Sequence, residues 1–138
     1  MDKLTVIQKS QELGGDGRRK VLEDLMLLAR DLGCDAEVGG GRIGGINFRY
    51  GSIRYAIMDV NVEGDVKLYV QPHPNKAPPE EIANRLNNYI KDTPGLEVKS
   101  FPLTCYGHLD GKVEDLPVDS LVGYLREVVD SIRQTYYT

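Results

Sequence analysis

Between Gly44 and Pro72 apolar and polar residues alternate in three successive runs separated by short turn signals. Ile46, Phe48 and Tyr50 alternate with Asn47 and Arg49 before Gly51-Ser52 breaks the pattern. Ile53 to Val62 forms a second, more apolar run that ends at Glu63-Gly64-Asp65. Val66, Leu68 and Val70 then alternate with Lys67, Tyr69 and Gln71. Successive side chains of a strand point to opposite faces, so period-two alternation with tight breaks predicts an antiparallel meander with one face on a core and one in water.

A different period governs the flanking segments. Val21, Leu22, Leu25, Met26, Leu28, Ala29 and Leu32 recur at spacings of three and four, which predicts an amphipathic helix from Asp16 to Leu32 with Gly33 as its stop. The residues before Gly14-Gly15 fit either a short helix or an arm. Gly39 to Gly45 holds five glycines in seven positions and reads as a loop or as the irregular start of the first strand. Pro78-Pro79 and Glu80-Glu81 set up a second helix, with Ile82, Leu86, Tyr89 and Ile90 on one side and Thr93-Pro94-Gly95 at its end. Leu96 to Leu103 and Cys105 to Leu109 are weaker strand patterns. Pro102 marks the first of them as an edge or a bulge, and Asp110-Gly111 favours a hairpin towards Val113. A third helix runs from Val118 or Asp119 to Tyr136, with Leu121, Tyr124, Leu125, Val128, Val129 and Ile132 on its apolar face.

The expected fold is α+β, in the order α-βββ-α-ββ(β)-α. An antiparallel sheet of about five strands should carry its helices mainly on one face. Residues 1–138 form one domain, in which 1–15 is the arm or short helix. With 138 residues, 41% of them hydrophobic, the chain can bury a sizeable core without a metal or disulfide. The net charge of −4 makes a nucleic-acid or anionic-membrane partner the less expected one, with Arg18, Arg19 and Lys20 as a local exception. Met1 to Thr5 lacks the apolar stretch of a signal peptide, so the expected compartment is the cytoplasm. Cys34 and Cys105 belong to no C-x-x-C pair and read as free thiols.

Candidate chemistry is sparse. The glycine-rich stretch leads into a strand and is followed by no G-K-[ST], so it matches neither phosphate-binding loop. His73, His108 and Cys105 could form a zinc site or a Cys-His pair only if the fold brought them together. Asp59, inside the run Ala56 to Val60, calls for a partner such as Arg49 or Arg54 if it is buried. No G-x-S-x-G is present. No cofactor is expected. The remaining candidate is the outward sheet face, where Asn47, Arg49, Lys67, Tyr69 and Gln71 make a mixed basic, aromatic and polar band open to a partner.

The order of elements resembles the type III secretion chaperone-like fold, including its YbjN-type members. The resemblance rests on a leading helix, a meander, a middle helix carrying Asn84-Arg85-Leu86-Asn87, a second strand group and a last helix opening Val118-Asp119-Ser120-Leu121. It implies a non-enzymatic, often homodimeric protein that binds extended segments of other proteins. The expectation is therefore a protein-binding module, chaperone-like or adaptor. Two alternatives stay open: a small enzyme or metal-binding protein using the His/Cys/Asp residues, and a nucleic-acid-associated module that gathers Arg18, Arg19, Lys20, Arg42, Arg49, Arg54 and Lys67 on one surface.

Overall fold

A computed structural model describes residues 2–39, 43–50, 57–71, 80–100, 105–109 and 111–136. Three helices, α1 (Lys3–Asp31), α2 (Glu80–Asp92) and α3 (Val118–Tyr136), accompany six strands: β1 (Cys34–Gly39), β2 (Gly45–Tyr50), β3 (Met58–Asn61), β4 (Val66–Gln71), β5 (Leu96–Ser100) and β6 (Cys105–Leu109). The strands form one antiparallel sheet in the order β1-β2-β3-β4-β6-β5. The α+β class and the antiparallel sheet with helices on one face are as the sequence predicts.

Alternation decides the two faces. Ile46, Phe48, Met58, Val60, Val66, Leu68 and Val70 are buried beneath the helices, while Asn47, Arg49, Asp59, Lys67 and Tyr69 lie on the other side, partly or fully exposed. α1 packs on β1 and β2, α2 packs on β4 and β5, and α3 lies against both helices. α2 packs tightly on the sheet at Gly107, where a Cβ would stand 2.5 Å from Ile90 Cδ1 and 3.1 Å from Leu68 Cβ. On β4 the register with β6 slips between Tyr69 and Gln71, and the Tyr69 carbonyl accepts from the hydroxyl of buried Tyr124 on α3 (3.0 Å).

Two expectations need correction. A strand, β1, precedes the meander, so the first group holds four strands and the sheet six. Cys34, Ala36 and Val38 alternate with Asp35 and Glu37 there, but the segment is short and merges into the glycines. Gly39 closes β1 and Gly45 opens β2, so the glycine-rich stretch connects two strands of a hairpin. The Asp110-Gly111 signal does not open a hairpin towards Val113. β6 pairs with β5 and β4, and Val113–Asp115 is a single 3-10 turn. Within the second run, Met58–Asn61 form β3. Residues 53–56, Pro72 to Pro79 and Pro102 lie outside the described residues.

The leading segment is two helices, in line with the helix expected from Asp16 and the short-helix option for residues 1–15. Asp2 caps the first, its carboxylate accepting from Thr5 N–H (2.8 Å), and helical structure continues to Asp31 except at Gly15, whose φ of 79° and ψ of −172° break the path. Lys3 lines a cleft with Met26, Leu27 and Arg30, residues that would stand roughly 36 Å from it along a straight helix at 1.5 Å per residue. α1 therefore folds back at Gly15 into two arms, 3–14 and 16–31. Gly33 (φ 88°) follows its C-cap, as the sequence predicts.

Arg18, just past the fold-back, fixes the second arm to the sheet. Its Nε and Nη2 donate to the Glu114 carboxylate (3.0 and 2.9 Å), and Nη1 donates to the Val62 carbonyl (3.2 Å). The side chain is 8% exposed and passes close to Gly14 and Gly64, where any Cβ would collide with the guanidinium.

Candidate functional site

The open sheet face is a row of polar residues in cross-strand register. Glu37, Asn47, Asp59 and Lys67 stand opposite one another on β1 to β4, and the row continues in register through His108 to Glu97. Direct cross-strand neighbours of opposite charge stabilise a sheet and satisfy each other. Arg49 Nε lies 3.1 Å from Glu37 Oε2, an ion pair without the alignment of a hydrogen bond. The Tyr69 hydroxyl donates to Asp59 Oδ2 (2.7 Å).

Asp59 thus has its partner in Tyr69, and not in Arg49, which the register places beside Asp35. Arg54 lies outside the described residues. Burial raises the Asp59 carboxyl above its ordinary value of 3.8, while the Tyr69 hydroxyl and Lys67 act in the opposite direction. Nearby, Asp65 is held below the same value, first by the hydrogen bond from Lys112 Nζ (2.9 Å). Both carboxylates line a shallow cleft of about 270 Å³ with Asn61 and Lys67.

Of the predicted partner band, Asn47, Arg49, Lys67 and Tyr69 share the open face, with Arg49 and Tyr69 held by neighbours in the sheet. Gln71 is placed on β4 opposite Cys105. The candidate metal or catalytic residues are placed only in part. The β6 register sets Cys105 opposite Gln71 and Ser100, and His108 opposite Lys67 and Glu97, while His73 lies outside the described residues. Among the described residues no three His, Cys, Asp or Glu side chains are grouped to hold a metal. Cys34 is a free thiol that burial and the neighbouring Asp35 carboxylate push up to about 11, so it stays protonated near neutral pH.

Of the residues proposed for a basic surface, Arg49 and Lys67 lie on the open sheet face. Arg18 is internal, Arg19 pairs with Glu23 (2.8 Å), and Lys20 pairs with Asp24 (2.8 Å). Arg42 and Arg54 lie outside the described residues. In the Asn84 to Asn87 run, Leu86 enters the core and Arg85 joins α2 to Glu127 of α3.

A further feature lies at the sheet edge. β1 ends the sheet, and among the described residues no strand pairs with its outer side. The core-facing row Val66, Val60, Ile46 runs out at Val38, which is 37% exposed where its three neighbours are buried. Against this edge lies a cleft of about 500 Å³ between the arms of α1, which contribute Lys3, Met26, Leu27 and Arg30, and β1 residues 34–37. Leu27 is 51% exposed. The hydrophobic layer is thus unfinished on this side, beside backbone groups that a further strand could pair with. The alternation of Cys34, Ala36 and Val38 with Asp35 and Glu37 signals the strand but not its exposure.

No family model matches this chain, nor does any curated protein or solved structure. No helix among the described residues is long and apolar enough to cross a membrane.

Proposed function

We propose that this chain is a non-enzymatic protein-binding module, chaperone-like or adaptor in kind, as its resemblance to the type III secretion chaperone-like fold implies. The observation that carries the reading is the β1 edge, where a strand whose outer side has no partner among the described residues, exposed Val38 and Leu27 and an open cleft lie together. Edge strands of this kind are a ready template for an added segment, with main-chain hydrogen bonds supplying affinity and adjoining pockets supplying selectivity. The open-face band of Asn47, Arg49, Lys67 and Tyr69 is the flank of this site, since Arg49 reaches Glu37 on β1.

Homodimerisation is the second part of the reading. Its support lies on the first arm of α1, where Leu4 and Leu13 are each more than half exposed, and a solution mass of twice 15.4 kDa tests it. The reading keeps the cytoplasm as the compartment, supported by the free thiol of Cys34.

A photo-crosslinking amino acid placed at Val38 in the native cell tests the binding reading. One or a few specific proteins should be captured there, and not from a control position at exposed Lys91 on α2. Capture of nothing at Val38, or of the same proteins at both positions, would refute it.

A further inference from the structure

The charges on β1 carry the reading above one step further, to the chemistry of the occupant; this step rests on that reading. Asp35 and Glu37 are exposed on the open-face side of the terminal strand, and Arg49 is the one cation that the register brings beside them. On the open-face side of the edge, two carboxylates and one guanidinium leave a net negative charge, while Lys3 and Arg30 line the same cleft from the helix side, Arg30 beside Asp31 (3.8 Å). Among the described residues Asp35 makes no ion pair. Between those two cations the edge meets Met26 and Leu27.

These charges decide against a second copy of the chain as the occupant. Two β1 strands paired antiparallel across a two-fold axis, helices on the same side, have two registers that pair more than three residues each. One sets Asp35 opposite Glu37 of the second copy, and the other sets Glu37 opposite itself. Like charges directly opposite each other destabilise a strand pair, so both registers are disfavoured.

We propose that the β1 edge takes an extended segment of another protein as a seventh strand, and that the segment carries Lys or Arg at two positions two apart with apolar residues between them. The basic side chains would face Asp35 and Glu37, and the apolar ones would extend the row of Val38 over Leu27 and Met26. Alternation in the segment follows from the strand period, which sends neighbouring side chains to opposite faces. Main-chain pairing along the edge supplies the sequence-independent part of the affinity.

The test uses two labelled nine-residue peptides, one alternating Lys with Val and one alternating Glu with Val, titrated against the full chain by fluorescence anisotropy. The Lys/Val peptide should bind saturably, with one peptide per chain, and at least tenfold more tightly than the Glu/Val peptide. The double variant Asp35→Lys/Glu37→Lys should lose at least tenfold for Lys/Val and gain for Glu/Val. Glu63→Lys/Asp92→Lys, with the same change of net charge at exposed positions elsewhere, should leave both affinities within twofold. Equal losses in the two double variants would mean attraction to net charge alone and would overturn the proposal, as would no binding of either peptide. A Val38 crosslink to another copy of this chain would overturn it as well. Specific capture of other proteins at Val38 alongside a failed peptide titration would leave the binding reading standing and remove only the charge rule.

Discussion

The two ends of the sheet are finished differently. At the β5 end, Leu96 is buried near Leu109 and Leu116, Val98 packs on the core, and α2 lies across the strand. At the β1 end, the second arm of α1 covers Cys34 but leaves Val38 more than a third exposed. Both strands are edges by topology, yet among the described residues only β1 leaves part of its core-facing row uncovered. A β-sheet edge is an invitation to association unless it is short, charged or covered, and β1 carries charge on one face and an uncovered apolar row on the other. An edge of that composition discourages its own kind while leaving room for a segment of complementary charge, and it is the difference between the two ends that locates the candidate site.

The comparison can be broken most forcefully through the clamp that ties α1 to the β3–β4 turn and to the 3-10 turn. Arg18→Ala leaves the Glu114 carboxylate and the Val62 carbonyl without their donor, and removing one partner of a largely buried pair costs about 3–5 kcal/mol. Chemical denaturation should show that loss, with the cleft between the arms losing its shape as the second arm detaches. A loss under about 1 kcal/mol would mean that α1 is held without the clamp.

Substitutions at the two edges sharpen the contrast. Leu96→Ala opens a cavity beneath α2 and should cost about 2–3 kcal/mol. Val38→Ala, at a side chain already in contact with water, should cost about 0.5 kcal/mol or less. Equal costs at the two positions would show that β1 is as well covered as β5.

The smallest effect separates two carboxylates of the open face. Asp59 has its pKa raised in the fold, so its ionised form is penalised there. The native state gains when this group is protonated and loses stability as pH rises through its range. Asp59→Asn keeps an oxygen to accept from Tyr69 and should raise Tm at pH 7, with the advantage vanishing below pH 3.8, where Asp59 is neutral in both states. Asp65 runs the other way. Its lowered pKa contributes stability that is present above 3.8 and lost as pH falls through the folded value, so Asp65→Asn should lower Tm slightly at pH 7. Thermal melts from pH 3 to 8 check both signs. A Tm that falls for both variants at neutral pH would contradict the account of Asp59.

The sheet and the helices were legible where the pattern was long. Ile46, Phe48, Val66 and Leu68 alternate cleanly, and Leu121 to Ile132 hold a helical stripe for several turns. β1 was hard to read because its five alternating residues follow directly on a helix stop and lead into glycines, which mask a short strand as a loop. The fold-back at Gly15 was illegible for another reason. Gly14 and Gly15 can end a helix or join two, and only packing of Val6 and Ser10, both fully buried, draws the first arm into the structure. Arg18 looked like part of a basic patch because sequence gives charge without burial, while its partner Glu114 lies 96 positions away. The β1 edge was invisible as a site for the same reason: exposure of Val38 depends on how far the second arm of α1 reaches, which no local pattern states.

Backbone hydrogen exchange on the full chain, alone and with the Lys/Val peptide bound, tests the central claim most directly. Addition of a seventh strand should slow exchange across residues 34–39 and leave 96–100 unchanged. Protection that appears at 96–100, or on the open face without any change at β1, would contradict the claim that the unfinished edge is where this protein takes its partner.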